Sequence, residues 1–289
     1  MNVDLNETTP VVDAESRPYS APALEKGLDI LEALCRSEHP MSQKDIAQVL
    51  GRSVGEIYRM MACLVNRNYV TLVDENNYGI TTKLFELAHV NPPTHRLLFE
   101  AAPVMQRLAS ELDQSCHLTV YGQGKQVVLC KVDTPSGMGF AVRAGAELDV
   151  LISASGRVLL AFQDEETRKM RIEESLQRRP DQADPQIDSI LGKIRVAGFE
   201  SIPSVQVRGL WAVSFPILDT QGRAIAALTV PYAERMDQSQ RKSIPDVTDA
   251  LGAAARNLSK RVGGMVWSSG LNATERESVQ RHSAKGAGR

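Results

Sequence analysis

The sequence predicts an α+β protein in two parts: a small helical N-terminal domain closed by a β-hairpin, then a larger domain with a mostly antiparallel sheet and flanking helices. Three observations predict it. Between residues 23 and 66, apolar side chains recur at helical spacing in three consecutive segments, each opened by a start signal. Two runs rich in β-branched and aromatic residues then flank a polar tetrapeptide, which is the pattern of a hairpin. Beyond residue 114, hairpins and helical stretches are interleaved, and that mixture places helices beside an antiparallel sheet.

A chain of 289 residues, 43% hydrophobic and 24% charged, has room for two such domains, each with its own core. No stretch approaches the ~20 apolar residues a membrane helix needs, and the acidic N-terminus (Asp4, Glu7, Asp13, Glu15) is unlike a secretory signal. The expectation is a cytoplasmic protein without membrane contact. Cys35, Cys63, Cys116 and Cys130 show no C-x-x-C spacing, and the adjacent Cys116 and His117 would point apart on a strand. They read as buried free thiols, with no metal and no cofactor expected. A net charge of -2 gives no bulk attraction to nucleic acid, so any DNA binding must come from a local patch.

Within the first domain, residues 21–90, Leu24, Leu28, Leu31 and Leu34 define a first helix with start signals at Ser20 and Pro22. Ser42 and Asp45 form a capping box, in which the hydroxyl accepts a backbone N–H three residues on and the carboxylate reaches back. That second helix is short and ends near Gly51. Ser53 and Glu56 form another box ahead of Ile57, Met60, Met61, Leu64 and Val65, an i, i+3, i+4, i+7, i+8 stripe. Asn68 sits where a helix end needs a left-handed residue. "YVTLV" and "YGIT" around "DENN" are the hairpin, with Leu84, Phe85 and Leu87 in an apolar turn after it. Helix, short helix, turn, helix, hairpin is a winged helix-turn-helix.

In such a domain the second helix of the motif enters the major groove with its N-terminal residues at base edges, while basic and amide groups hold phosphates. Here the candidates are Arg52, Ser53, Gly55, Glu56, Tyr58 and Arg59, with Gln43 and Lys44 on the preceding helix. The domain as a whole carries seven basic residues against nine acidic ones, but from Gly51 to Val70 three arginines oppose one glutamate. Glu56 has two readings: a cap for its own helix, which is favoured, or an acceptor for cytosine N4. The acidic hairpin tip, Asp74 and Glu75, is unsuited to gripping phosphate.

Residues 91–113 form a helical linker, with Pro103 kinking it or starting a new segment. From 114 to 265 the expected elements are a hairpin in "HLTVYGQGKQVVLCKVD", a strand in "GFAVRAG" and a helix in "ASGRVLLAF". Helices over about 165–176 and 185–197, three strands over about 201–207, 211–218 and 224–231, and a helix over about 246–262 complete it. Residues 1–20 and 266–289, polar and without periodicity, read as disordered tails.

"LGRSVGEIYRMMACLVNRNYV", "YGITTKLFELA", "AGAELDVLISASGRVLLAF" and "GLWAVSFPILDTQGRAIAALTVPY", in this order, resemble the IclR family of bacterial transcriptional regulators over about Ala23 to Val262. The resemblance implies a winged helix, a linker helix and a GAF-like effector-binding domain. It also implies a homodimer or tetramer that binds a promoter palindrome in double-stranded DNA and responds, as repressor or activator, to a small organic effector. Family recognition helices usually carry a Ser-Thr pair where this chain has Gly55 and Glu56; Arg59 and Leu64 keep the pattern, and Asn68 replaces a common Gly.

Small residues from Ser153 to Gly156 open a helix whose N–H groups are either simply capped or offered to a carboxylate. By resemblance this turn and the last two long strands line the effector pocket through Ala154, Ser155, Ala212 and Thr229, with Ile202. Ala212 and Pro231 stand where relatives can have Cys and Ser, which implies a more apolar, aromatic effector than a two- or three-carbon oxoacid. Phe140, Arg143 and Trp211 are secondary candidates, Arg143 as a partner for a carboxylate. No nucleophile elbow, phosphate loop, dinucleotide fingerprint or H-E-x-x-H is present, so no catalytic residues are expected. The rival reading is an enzyme or sensor whose N-terminal helices only dimerise or contact another protein.

Overall fold

The computed structural model describes residues 21–90, 92–136, 139–233 and 242–267. The expectations for residues 1–20 and 268–289 lie outside them. The chain divides into two compact units, Met1–Asn91 and Pro92–Arg289.

In the first unit the elements are α1 (Pro22–Arg36), β1 (Met41–Ser42), α2 (Gln43–Val49), α3 (Val54–Asn66), β2 (Val70–Leu72), β3 (Asn77–Ile80) and α4 (Lys83–Val90). Ile30 and Leu34 of α1, Ile46 and Ala47 of α2, Ile57 and Met61 of α3 and Val70 of β2 form one buried cluster. Burial of large aliphatic side chains at ~25 cal/mol per Å² of apolar surface is the main stabilising contribution here. Asn68 adopts φ 59°, the left-handed turn that redirects the chain from α3 into β2.

Two local expectations change. Met41 and Ser42 pair with Tyr78 and Asn77, so β1 joins the hairpin in a three-stranded antiparallel sheet of order β1-β3-β2. The Leu84, Phe85 and Leu87 turn is instead the helix α4. Contacts at i, i+4 and i, i+3 support it: Thr82 Oγ1 donates to Glu86 Oε1 at 3.0 Å, and Lys83 lies 3.5 Å from Glu86.

The second unit opens with α5 (Pro92–Leu112), which continues through Pro103. Pro103 lies on the exposed face, while Leu97, Ala101, Val104, Met105 and Leu108 face the core. Then follow β4 (Cys116–Gly122), β5 (Lys125–Val132), β6 (Glu147–Leu148), α6 (Ala154–Ala161), α7 (Glu165–Arg178) and α8 (Ile187–Ala197). The last elements are β7 (Glu200–Pro203), β8 (Leu210–Leu218), β9 (Ala224–Ala233) and α9 (Ile244–Arg261). The sheet order is β6-β5-β4-β9-β8-β7, antiparallel throughout.

Side chains alternate across this sheet. Leu118, Val213, Leu228 and Val230 point to one face, where they pack with α5 and α9. The opposite face packs against α6, with Val158 and Leu159 in a second cluster that takes in Leu191 and Ile194 of α8. At the C-terminal end Trp267 stands edge-on to Phe162, 5.3 Å between ring centroids, so the described part of the expected tail is packed.

The "GFAVRAG" stretch forms no strand, and the physical reason is the edge it would need. Gly145 donates to Val128 O at 2.8 Å, Val128 to Ala146 O at 3.0 Å, and Gln126 and Val127 pair with Leu148 and Glu147. The outer edge of β5 is thus taken by residues 145–148. Cys35 and Cys63 are exposed rather than buried, because they lie off the apolar stripes of α1 and α3, and all four thiols are free. No helix among the described residues is long and apolar enough to cross a membrane.

Candidate functional site

Two regions collect the residues of interest, one in each unit. In the first, α3 begins at a reciprocal cap: Glu56 N–H donates to Ser53 Oγ at 3.3 Å, and Ser53 N–H donates to Glu56 Oε2 at 3.0 Å. The second carboxylate oxygen accepts from Lys26 Nζ of α1 at 3.2 Å. The Ser53 backbone bond, helped by its hydroxyl and by Lys26, holds the Glu56 carboxyl down at about 2, well below its ordinary value. Glu56 is therefore a charged cap. Arg52 Nη2 lies 3.0 Å from Asp29 Oδ2 on α1, and Gln43 Nε2 donates to Tyr78 Oη at 3.0 Å on β3.

Lys44, Gly55, Tyr58 and Arg59 are solvent-exposed, Tyr58 by 59%. The outward row of α3 runs on through Ala62 and Asn66, three and seven positions after Arg59, which a reading confined to the first helical turns misses. At the hairpin tip, Asp74 Oδ1 accepts from the Asn76 and Asn77 amides at 3.1 and 2.9 Å, and Oδ2 accepts from Asn77 Nδ2 at 3.0 Å. Its acidity belongs to the turn.

In the second unit, a polar row crosses the α6 face of the sheet. His117 is the register partner of Thr229, Thr229 of Ser214, and Ser214 of Glu200. Thr229 Oγ1 and Ser214 Oγ are hydrogen-bonded at 2.9 Å, while at both ends buried atoms, His117 Nδ1 and Glu200 Oε2, have no partner among the described residues. Burial pushes the His117 imidazole down to about 4 and the Glu200 carboxyl up to about 7, Arg157 pulling the latter back.

Over the His117 end of this row lies a cavity of about 80 Å³. The turn into α6 forms one side of it. The Ser153 hydroxyl caps α6 by accepting the Gly156 N–H at 3.1 Å and is itself held by Gln126 Nε2 at 2.6 Å. Gly156 is small for packing, since a Cβ there would meet Val150 O at 2.1 Å. Among the described residues no hydrogen bond takes the N–H groups of Ala154 or Ser155, the arrangement that attracts an anion to a helix start.

Six of the eight residues expected at this pocket line the cavity: Phe140, Ala154, Ser155, Ile202, Ala212 and Thr229. Ser115 Oγ, donating to Phe140 O at 2.5 Å, holds the Phe140 segment there. Trp211 and Arg143 do not line it. One residue from Ala212 on β8, Trp211 alternates to the opposite face and packs against the α5/α9 core. Arg143 is exposed in the turn whose carbonyl accepts the Ala146 N–H at 3.1 Å.

Several lining residues escape sequence reasoning. Val205, Gln206 and Val207 form a loop wall where a strand was expected, because β7 ends at Pro203. His117, standing beside Cys116 on a strand, looks like any core histidine until the register places it against Thr229.

A winged helix carrying an exposed Tyr58 and Arg59 on α3, in one chain with an α+β unit, defines a DNA-binding transcriptional regulator. Residues 94–260, more than half of the chain, match the family described as "Bacterial transcriptional regulator IclR C-terminal", and residues 23–74 match the "IclR helix-turn-helix domain". The chain belongs to the IclR family. It is 25% identical over 256 residues to the HTH-type transcriptional regulator KdgR of Escherichia coli K12, covering 87% of this chain and 96% of that one. The crystal structure of Pseudomonas aeruginosa HmgR superposes with a TM-score of 0.65 at 25% identity, covering 83% of this chain and 99% of the other. An IclR homolog from Microbacterium hydrocarbonoxydans, solved in complex with 4-hydroxybenzoate, shares the fold with a TM-score of 0.69 at 21% identity, over 83% and 99% of the two chains.

Proposed function

We propose that the protein is a cytoplasmic, sequence-specific regulator whose action on a promoter palindrome changes when a small organic acid occupies the cavity of the second unit. The observation that carries this reading is the meeting of the open start of α6, at Ala154 and Ser155, with the apolar walls Phe140, Ile202 and Ala212. A carboxylate suits the two N–H groups, and a compact apolar or aromatic body suits the walls. The neighbour holding 4-hydroxybenzoate supports this class of ligand, since the same fold there accommodates a small aromatic acid.

In this mechanism residues 21–90 bind DNA and residues 114–265 bind the effector. A homodimer, alone or paired into a tetramer, sets two α3 helices in successive major grooves. Tyr58 and Arg59 meet base edges, Lys44 and Arg52 meet phosphates, and Gly55 lets the helix start approach the backbone. Ser53 and Glu56 shape that start, and Gln43 braces α2 through Tyr78. Occupation of the cavity shifts the balance between dimer geometries that fit the half-site spacing and geometries that do not.

The experiment is selection of genomic DNA fragments by the purified protein, followed by gel-shift titration of the selected site with and without benzoate-type acids, at several salt concentrations. Counterion release makes DNA affinity fall steeply with salt, and an acid that binds the cavity changes the titration midpoint. Failure to enrich any site would remove the regulatory reading. An enriched site whose affinity no acid alters would remove the effector reading alone.

A further inference from the structure

His117 is 4% exposed, yet it is part of the cavity wall, and its Nδ1 has no hydrogen-bond partner among the described residues. Leaving a buried polar nitrogen unsatisfied is costly, and the neighbouring groups do not relieve it. Thr229 is engaged with Ser214, and Lys131, the register partner on the other side, is bonded to Asp133 at 2.7 Å. The walls around it, Phe140, Leu148, Ala212 and Pro231, are apolar or lack a donor. On the sheet side of the cavity His117 is thus the polar group left open, facing the start of α6 at Ala154 and Ser155, while Ser204 and Gln206 add polar groups from the loop wall.

We propose that His117 reads a second polar group on the effector, so that the pocket selects a small carboxylic acid carrying a hydroxyl or carbonyl on its apolar body over the same acid without one. This rests on the effector-pocket reading above and adds the identity of the selecting residue. The ring is neutral, one nitrogen donating and the other accepting, so it satisfies a hydroxyl in either sense. The terminal torsion of a histidine is broad, so the ring can adjust to present a nitrogen to a bound group. His117 acts by binding alone, and no bond is made or broken.

The test is calorimetric titration of the full-length protein with benzoate and its three monohydroxy isomers, for the native chain, His117→Phe, His117→Asn and Ala212→Leu. One isomer is expected to bind the native chain about tenfold more tightly than benzoate, the worth of one hydrogen bond in a closed site. In His117→Phe that ratio should fall to near unity, and His117→Asn, which keeps a hydrogen-bonding group, should restore part of it. Because the readout is a ratio within each variant, a general loss of packing does not imitate it. Ala212→Leu, which fills the cavity, should abolish binding of all four acids. An unchanged ratio in His117→Phe, with binding still abolished by Ala212→Leu, overturns the role of His117 and leaves the pocket standing. Absence of binding by all four acids to the native chain overturns the carboxylate pocket and this proposal with it.

Discussion

Arg52 Nη2 stands 3.0 Å from Asp29 Oδ2, which ties the guanidinium at the entrance of α3 to α1. Arg59, two turns further along, is exposed. The two arginines should therefore fail differently. Arg59→Ala should cost ~1–3 kcal/mol of specific DNA affinity and relax base preference at one position, without lowering the melting temperature. Arg52→Ala should lower the salt slope of DNA binding by about one and also cost about 0.5 kcal/mol of stability, the value of a half-exposed ion pair. Gel shifts at three salt concentrations and thermal melts of both variants separate the cases. Unchanged affinity in both would sink the placement of DNA on this face.

Glu56 answers the question its place in the sequence poses. Both of its carboxylate oxygens are occupied, by Ser53 and by Lys26. A side chain so engaged sets the start of α3. Glu56→Gln keeps an acceptor for the Ser53 N–H, so the operator sequence selected from a random pool should be unchanged. The carboxyl is held at about 2 in the folded protein against an ordinary 4.5. Its contribution is complete above pH 4.5 and is lost as the pH falls toward 2. Hydrogen exchange of the α3 amides should show this acid loosening in the native chain and less of it in Glu56→Gln. A changed base preference in that variant would return Glu56 to the DNA interface.

What could be read from residue order follows from the range of the interactions involved. The two capping boxes and the left-handed Asn68 act within three or four residues, and each stands where the local pattern places it. The strand β1 was invisible because two residues become a strand only through Tyr78 and Asn77, more than thirty positions away. "GFAVRAG" has strand composition, but only its last residue, Gly145, reaches the edge of β5, and residues 146–148 take the rest of that edge. The cavity shows the same division. Positions on the α6 turn follow from a local motif, whereas the exclusion of Trp211 and the inclusion of His117 depend on side-chain alternation and cross-strand register. Those are fixed only when four distant strands assemble.

The cavity's size carries a prediction of its own. At about 80 Å³ it is smaller than the ~300 Å³ or more of most ligand sites, so a benzoate-sized acid would enter only if its walls parted. The wall most able to move is residues 204–207, held by the Ser204 and Leu210 turn bonds rather than by a strand ladder. Ala212→Leu should remove the effector response while leaving operator affinity within about twofold, because the added methyl groups enter existing space and overpacking of ~1–3 kcal/mol is the upper cost. Proteolysis at residues 204–207, slowed or quickened by an acid in the native chain, should become insensitive to it in Ala212→Leu. Retained response in that variant would place the effector elsewhere.

Glu200, at the far end of the polar row, makes stability depend on pH in a direction opposite to Glu56. Burial among the sheet and α6 raises its carboxyl from 4.5 to about 7, Arg157 offsetting only part of the cost, and Oε2 has no partner among the described residues. Between those values the folded state keeps a proton that the unfolded state has released. Stability is therefore full below pH 4.5, falls as the pH rises, and the loss is complete above pH 7. Replacement by Gln supplies a neutral group of the same shape and removes the dependence. Urea unfolding should give Glu200→Gln and the native chain the same midpoint at pH 4.5, whereas at pH 8 the variant should be more stable, by an amount on the order of 3 kcal/mol at most. Equal midpoints at both pH values would mean that the ionised carboxylate finds a partner or water at pH 8, and that the row is satisfied at its Glu200 end.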